Sequence, residues 1–167
     1  MGVAPVLQVT GFQNSGKTTV MRDLIQAGAS NQLMVGTIKH HGHGGVPDLP
    51  SSSKDSDQHF QSGADISAVE GEGAIHIVSR PGFMRLSNLL DFYKKMPLDV
   101  ILIEGYKKES YPKLVLIRQK EELPLLNQVS NLAAVVSDLS IETNVPVFLF
   151  NEKERLIQWF LAWVKEC

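Results

Sequence analysis

The sequence predicts an α/β fold with a doubly wound, mainly parallel sheet and a β-hairpin extension. Short apolar runs typical of buried strands alternate along the chain with segments whose apolar residues recur at helical spacing. One run, residues 100–103, is uninterrupted, as expected for a parallel strand covered on both faces. A glycine-containing loop joins the first predicted strand to the first predicted helix. In such a fold the ligand site lies at the carboxyl ends of the strands.

Strands are predicted where β-forming residues cluster between glycine, proline and polar residues. Gly71-Glu72-Gly73 separates two such runs and predicts an antiparallel hairpin with a tight turn. In chain order the predicted strands are residues 6–10, 33–38, 65–69, 74–79, 100–103, 113–118, 132–136 and 147–150.

Helices are predicted from apolar residues at helical spacing, together with residues that start or stop a helix. Gly28 is expected to follow the end of the first helix as its C-cap. Ser87 is expected to cap the third helix, and Pro97 to stop it. The predicted helices are residues 18–27, 57–62, 86–96 and 154–164.

Length and composition limit the classes of protein. A chain of 167 residues predicts a single domain, residues 1–167. With 43% hydrophobic and 20% charged residues, the composition is that of a globular protein, and no apolar run is long enough to cross a membrane. A net charge of −2 argues against nucleic acid as a partner. The single cysteine, Cys167, and the absence of a signal-peptide pattern lead us to expect a cytoplasmic protein.

The loop from Gly11 to Thr18 fits the Walker A pattern, G-x-x-x-x-G-K-[ST], between a strand and a helix. Glycines allow a tight loop whose backbone N–H groups point at phosphates, and the helix N-terminus adds partial positive charge. Lys17 is expected to reach the β- and γ-phosphates and Thr18 to offer its hydroxyl to Mg²⁺. The competing interpretation is a glycine turn that happens to precede a lysine.

A carboxylate that serves the metal is expected at the end of a neighbouring strand. Asp99 and Glu104 flank the apolar run 100–103. Only Glu104 follows the carboxyl end, because a strand of five residues places Asp99 about 16 Å away. We therefore predict Glu104 as the acidic partner of the Walker loop, and Asp55 or Asp57 as a further metal ligand. The alternative is a solvated acid at a strand end.

Residues 39–57 are rich in His, Gly, Ser and Pro, which predicts a long mobile loop beside the site. Lys39 would leave the second strand near the phosphates. The histidines at 40, 41 and 43 suit transition metals, although they lie too close together to form a complete site alone. A surface loop without ligand contact is the alternative.

Base recognition has a weak signal. Asn151-Glu152-Lys153-Glu154 is a degenerate match to the N-K-x-D element that recognises guanine. Asn151 can equally be the N-cap of the last helix, with Glu154 at its third position.

In combination, these motifs make the chain resemble the molybdopterin-guanine dinucleotide biosynthesis protein B (MobB) family. The Lys39-His40-His41-Gly42-His43 block is the most distinctive, and a further family motif begins at Asp57. The segments that carry the resemblance are G-F-Q-N-S-G-K-T-T at 11–19, T-I-K-H-H-G-H-G at 37–44, L-I-E-G-Y-K at 102–107, P-K-L-V-L-I-R at 112–118 and A-V-V-S-D at 134–138.

The resemblance implies a dimeric, GTP-binding protein with weak GTPase activity. Such a protein assists a MobA-like guanylyltransferase in attaching GMP to molybdenum-bound molybdopterin. Glu104 would serve Mg²⁺, Asp57 has a less certain role, and Lys113 and Arg118 would contact a ligand or an interface. By the same resemblance the nucleotide is bound by Gly11, Asn14, Ser15, Gly16, Lys17, Thr18 and Thr19, with Lys39, His40 and His41 at the site.

Two other functions remain open from the residues. A metallochaperone GTPase would use the histidine-rich loop, although the chain has no cysteine-based metal motif. A small-molecule kinase would share the fold and size, but no arginine-rich lid segment is present in the sequence.

Overall fold

The computed structural model describes residues 3–41 and 54–167, with side chains from residue 58 onward in the second range. The chain divides into two compact units, one comprising Met1–His43 and Met96–Cys167 and the other Gly44–Lys95. The expectation of a single domain stays a prediction. In chain order the elements are β1 (Val6–Gly11), α1 (Lys17–Ser30), β2 (Val35–Lys39), α2 (Lys54–Gln61), β3 (Ile66–Gly71), β4 (Ala74–Ser79), α3 (Leu86–Tyr93), β5 (Val100–Glu104), β6 (Lys113–Ile117), a 3₁₀ turn (Lys120–Glu122), α4 (Pro124–Gln128), β7 (Leu132–Ser137), β8 (Val147–Phe148) and α5 (Lys153–Glu166).

The larger unit is built on a six-stranded sheet in the order β2-β5-β1-β6-β7-β8. All of its strand pairs are parallel. The predicted doubly wound, mainly parallel sheet is therefore confirmed. Because β1 and β5 are neighbours, with Val9 opposite Glu104, the end of the Walker loop strand and the predicted acidic residue lie at the same edge.

Apolar clusters lie on both faces of this sheet. On one face, α1 and α5 pack against β-strand residues such as Leu7, Leu102 and Leu116, all without solvent exposure. On the other face, Leu125 of α4 packs against Val115 and Ile117. The apolar stripe predicted for the last helix is part of the first cluster, with Leu156 and Phe160 buried in it.

The smaller unit contains the predicted hairpin. β3 and β4 pair antiparallel from Ile66 opposite Ser79 to Gly71 opposite Ala74. Glu72 and Gly73 form the turn, and both have positive φ. The hairpin prediction is thus confirmed. α2 begins at Lys54, so the predicted loop through residue 57 is too long at its end, and residues 42–53 lie outside the described part of the chain.

The predicted helix caps are wrong in three places. Gly28 lies inside α1, where an added Cβ would approach Val35 Cγ2 to 2.6 Å, so its role is close packing. Ser87 lies within α3, and the Asn88 side chain accepts the Arg85 N–H at 3.1 Å. Asn151 lies in a turn before Glu152, the N-cap of α5.

The last strand is shorter than predicted because side chains capture its backbone. Glu152 Oε2 accepts the Leu149 N–H at 2.9 Å, and Asp138 Oδ1 accepts the Phe150 N–H at 3.0 Å. The hydrogen bond from the Leu149 N–H lowers the pKa of Glu152, and a smaller contribution in the same direction comes from the bond with the Arg155 side chain. These N–H groups are then unavailable to a strand ladder, and β8 ends at Phe148.

Candidate functional site

The segment between β1 and α1 forms a tight loop of the shape that the Walker pattern predicts. Gly16 and Asn14 have φ values of 96° and 61°, in the left-handed region that favours glycine and tolerates asparagine. At Gly11 a Cβ would lie 2.6 Å from Ser15 Oγ and 2.9 Å from the Leu116 carbonyl oxygen, so no side chain fits. The Ser15 hydroxyl occupies the space beside Gly11, and Ser15 is only 1% exposed.

Lys17 is the first residue of α1, and its Nζ donates to the Phe12 carbonyl at 2.6 Å across the loop. Burial lowers the pKa of Lys17. Glu104 opposes this effect, whereas Lys107 and Lys39 add to it. A cation held among other cations over an open loop is suited to an anionic ligand, because the ligand's charge offsets the repulsion.

Glu104 lies beside both Thr18 and Lys39. Thr18 Oγ1 donates to Glu104 Oε1 at 3.3 Å, and Lys39 Nζ lies 3.9 Å from the same oxygen. Glu104 is largely buried, at 9% exposure, and it ends β5 next to the loop, as its position in the sequence predicts. The hydroxyl and carboxylate are hard oxygen donors of the kind that Mg²⁺ prefers, so these two residues fit a magnesium ion bound with phosphate.

The chain turns sharply after Glu104 and brings Tyr106 against His40. Gly105 and Tyr106 have φ values of 95° and 52°. A Cβ at Gly105 would lie 2.9 Å from the Cβ of His40, whose N–H bonds to the Glu104 carbonyl at 2.9 Å. The rings of His40 and Tyr106 lie 4.4 Å apart. The close approach of β2 and β5 here depends on a glycine.

These residues surround one cavity of about 1110 Å³ within the larger unit. The structure thus brings together the Walker loop, Glu104, Lys39, His40 and His41. Sequence reasoning did not select the side chains of residues 106–109 as site residues. The cavity is lined by Gly11, Gln13, Asn14, Gly16, Lys17, Thr18, Thr19, Lys39, His40, His41, Glu104, Gly105, Tyr106, Lys107, Lys108 and Glu109.

The two basic residues of the predicted 112–118 motif have different surroundings. Lys113 has no solvent exposure, and its ammonium donates to the Tyr111 and Ser130 carbonyls, each at 3.1 Å. Burial lowers the pKa of Lys113. Arg118 lies at the Walker loop, where its Nε donates to the Ser15 carbonyl at 3.1 Å. Its guanidinium carbon is 3.4 Å from the centre of the Phe150 ring.

Some predicted site residues lie outside what the structure describes. His43 belongs to the range 42–53, and the side chains of Asp55 and Asp57 are not described, so their metal roles stay predictions. Within the described ranges, no group of three or more His, Cys, Asp or Glu side chains is arranged to hold a metal ion. Among the described helices, none is long and apolar enough to cross a membrane.

The fold is that of a P-loop NTPase-like protein, because a loop of the phosphate-binding type follows β1 of a parallel sheet and Glu104 contacts Thr18 at the end of that loop. The profile of the family described as MobB, molybdopterin guanine dinucleotide synthesis protein B, matches residues 6–138. The chain belongs to this family.

Relatives and solved structures agree with the profile. A protein of Bacillus subtilis (strain 168) named "probable molybdopterin-guanine dinucleotide biosynthesis adapter protein" is 38% identical over 147 residues, or 86% of this chain and 84% of that protein. The crystal structure of Bacillus subtilis MobB, 34% identical, superposes with a TM-score of 0.79 over 95% of this chain and 96% of that chain. A MobB homologue from Bacillus stearothermophilus, 33% identical, gives a TM-score of 0.76 over 97% and 99%.

Proposed function

We propose that this protein binds GTP with Mg²⁺ and acts as an adapter when a MobA-like guanylyltransferase attaches GMP to molybdopterin. The observation that carries the nucleotide part is the 3.3 Å contact between Thr18 and Glu104 at the open end of the Walker loop. The pathway is supported by relatives named as molybdopterin-guanine dinucleotide biosynthesis adapter proteins, 38% and 28% identical to this chain. We further propose a cytoplasmic location.

In this proposal each residue has a distinct task. The backbone of Gly11 to Thr19 encloses the phosphates, and Lys17 neutralises charge on them. Thr18 and Glu104 would hold Mg²⁺, which supplies charge neutralisation at the β- and γ-phosphates. Lys39, His40 and His41 line the outer part of the cavity.

Hydrolysis by this site is expected to be slow. None of the described cavity residues is an arginine, and Arg118 already contacts the Ser15 carbonyl. An arginine at the transferred phosphate is worth roughly 10³–10⁵ in rate in the enzymes that use one. Binding rather than turnover is thus the expected property of the isolated protein.

Calorimetric titration with GTP and ATP, each with and without Mg²⁺, tests the nucleotide proposal. We expect GTP to bind more tightly, Lys17→Ala to abolish binding in a folded protein, and Glu104→Gln to retain binding with weaker Mg²⁺ dependence. Lys165→Ala, at the exposed end of α5, is the matched control for the lysine change. A preference for ATP, or full affinity in Lys17→Ala, would contradict the proposal.

Two further parts need separate experiments. Pull-down of a MobA-like guanylyltransferase and binding of molybdopterin test the adapter role directly. Titration with zinc and nickel tests the metallochaperone alternative, which requires tight binding lost on changing His40 and His41 together with His43.

We also propose that the protein is a homodimer. The resemblance implies it, and the hairpin supports an interface because Ile66, Ile75 and Ile77, on one face of it, are 48%, 56% and 40% exposed. Sedimentation of the wild type and of Ile75→Glu tests this part. A monomeric wild type would refute the dimer without affecting the nucleotide proposal.

A further inference from the structure

The connection between β5 and β6 is too short to contain the usual helix. These strands flank β1, and only residues 105–112 join the end of one to the start of the other. The segment must return along a strand of five residues, a distance of about 16 Å at 3.3 Å per residue. Eight residues of helix rise only about 12 Å. Residues 105–112 are therefore non-helical, apart from a turn in which Glu109 N–H bonds to the Tyr106 carbonyl at 3.0 Å.

A non-helical connection leaves backbone carbonyls that need donors from elsewhere. Two polar side chains of the central strands supply them. Gln8 of β1 has no solvent exposure, and its Nε2 donates to the Gly105 carbonyl at 2.6 Å and also to the Tyr106 carbonyl. Lys113, which is opposite Gln8 in the sheet, donates to the Tyr111 carbonyl near the other end of the connection. Because carbonyl oxygens only accept, the amide orientation of Gln8 is fixed by these contacts.

We propose that Gln8 is a positioning residue of the nucleotide cavity, which it does not line. Its amide holds two consecutive residues, Gly105 and Tyr106, in left-handed backbone conformations. For tyrosine that conformation is unfavourable and persists only where surrounding contacts impose it. The same turn sets Tyr106 against His40 and leads into Lys107 and Lys108 at the cavity wall. Gln8 thus positions the turn that directly follows Glu104 and, through that turn, the residues of the cavity wall.

Histidine ring NMR on the whole protein without nucleotide tests the positioning. Gln8→Met keeps the side-chain length and removes both donors. We expect the His40 ring signal to move in the direction seen in Tyr106→Leu, which removes the neighbouring ring. His59 and His76 are internal references, since neither is among the residues that line the cavity. Gln158→Met makes the same chemical change on the exposed side of α5 and leaves the His40 signal in place.

Two further variants separate positioning from general stability. Val136→Ala removes buried volume from the apolar cluster under α1 and α5. It should therefore lower the free energy of unfolding without moving the His40 signal. Gln8→Asn keeps the donors on a shorter arm and provides a milder change if Gln8→Met fails to fold. An unmoved His40 signal in the folded Gln8 variants would overturn the inference.

The effect on the cavity rests on the proposed nucleotide function and is measured separately. We expect Gln8→Met to bind GTP about tenfold more weakly than wild type and to lose part of its Mg²⁺ dependence. A moved His40 signal with unchanged affinity would overturn the link between the turn and the cavity. A wild type that binds no nucleotide would refute the proposed function alone, since the NMR comparison needs no ligand.

Discussion

Replacing Arg118 by methionine tests whether this side chain supports the Walker loop from outside. The guanidinium makes one bond to the Ser15 carbonyl at 3.1 Å and lies 3.4 Å from the centre of the Phe150 ring. A cation–π contact at an exposed site is worth about 0.5–1 kcal/mol, and a net hydrogen bond about 0.5–1.5 kcal/mol. Because Arg118 is exposed, we expect Arg118→Met to lower the free energy of unfolding by about 1–2 kcal/mol.

The loop contact also predicts an effect on binding. Without it, Ser15 and Gly16 lose part of what fixes the conformation that faces the phosphates. The expected loss of nucleotide affinity is about three- to tenfold, where tenfold corresponds to about 1.4 kcal/mol. The assays are denaturant unfolding and calorimetric titration of wild type, Arg118→Met, Phe150→Leu and the double variant.

The double-mutant cycle isolates the stacking contribution, with an expected coupling of about 0.5–1 kcal/mol. Arg155→Met is the matched control, because its guanidinium carbon lies 5.8 Å from the centre of the Phe148 ring and its Nη1 donates to Glu152 Oε1 and not to the Walker loop. We expect that variant to retain nucleotide affinity. Zero coupling, or an affinity for Arg118→Met equal to that of Arg155→Met, would refute the reasoning.

Two other predictions concern the same cavity. Nucleotide affinity, titrated at increasing pH, should fall as Lys17 loses its proton at a pH below its ordinary pKa of 10.5. Between the lowered pKa and 10.5 the stability of the free protein should rise with pH, because only the unfolded chain then binds that proton. Lys107→Met should move the affinity midpoint to higher pH, since Lys107 adds to the effect of burial on the Lys17 pKa, and an unmoved midpoint would contradict that contribution of Lys107. Gly105→Ala should lower the free energy of unfolding by about 1–3 kcal/mol in denaturant, because Gly105 has a positive φ and an added Cβ would meet His40. Gly71→Ala is the control and should change the free energy of unfolding little, because a Cβ there meets nothing within 4 Å; equal losses in the two variants would show that the contact with His40 is unimportant.

The parts of the site that sequence predicted are those encoded locally. The Walker loop is a contiguous motif whose glycines and lysine have fixed spacing. Glu104 could be chosen over Asp99 because strand direction alone separates the two ends of β5. The parallel sheet likewise follows from apolar runs that alternate with helices.

The parts that sequence did not predict depend on contacts between distant residues. Arg118 is 103 positions from Ser15, so nothing near either residue indicates their bond. Gln8 is 97 positions from Gly105, and its only local signal is a polar residue in an apolar strand. Two of the cap errors have another cause, since Asn88 and Glu152 accept the backbone N–H groups of Arg85 and Leu149 at the starts of α3 and α5, whereas Gly28 lies inside α1 because it packs against Val35.

The charge of the cavity wall is opposite to that of the whole chain. Among the described lining residues, the lysines at 17, 39, 107 and 108 outnumber the glutamates at 104 and 109, whereas the chain carries a formal charge of −2. The rest of the molecule is therefore more acidic than the total shows. The net negative charge of the rest of the chain repels an approaching polyanion, whereas the lysines of the cavity wall attract it, so electrostatics favours encounters at the cavity before any contact forms. Added salt should slow association more than it speeds dissociation, since it screens this long-range field.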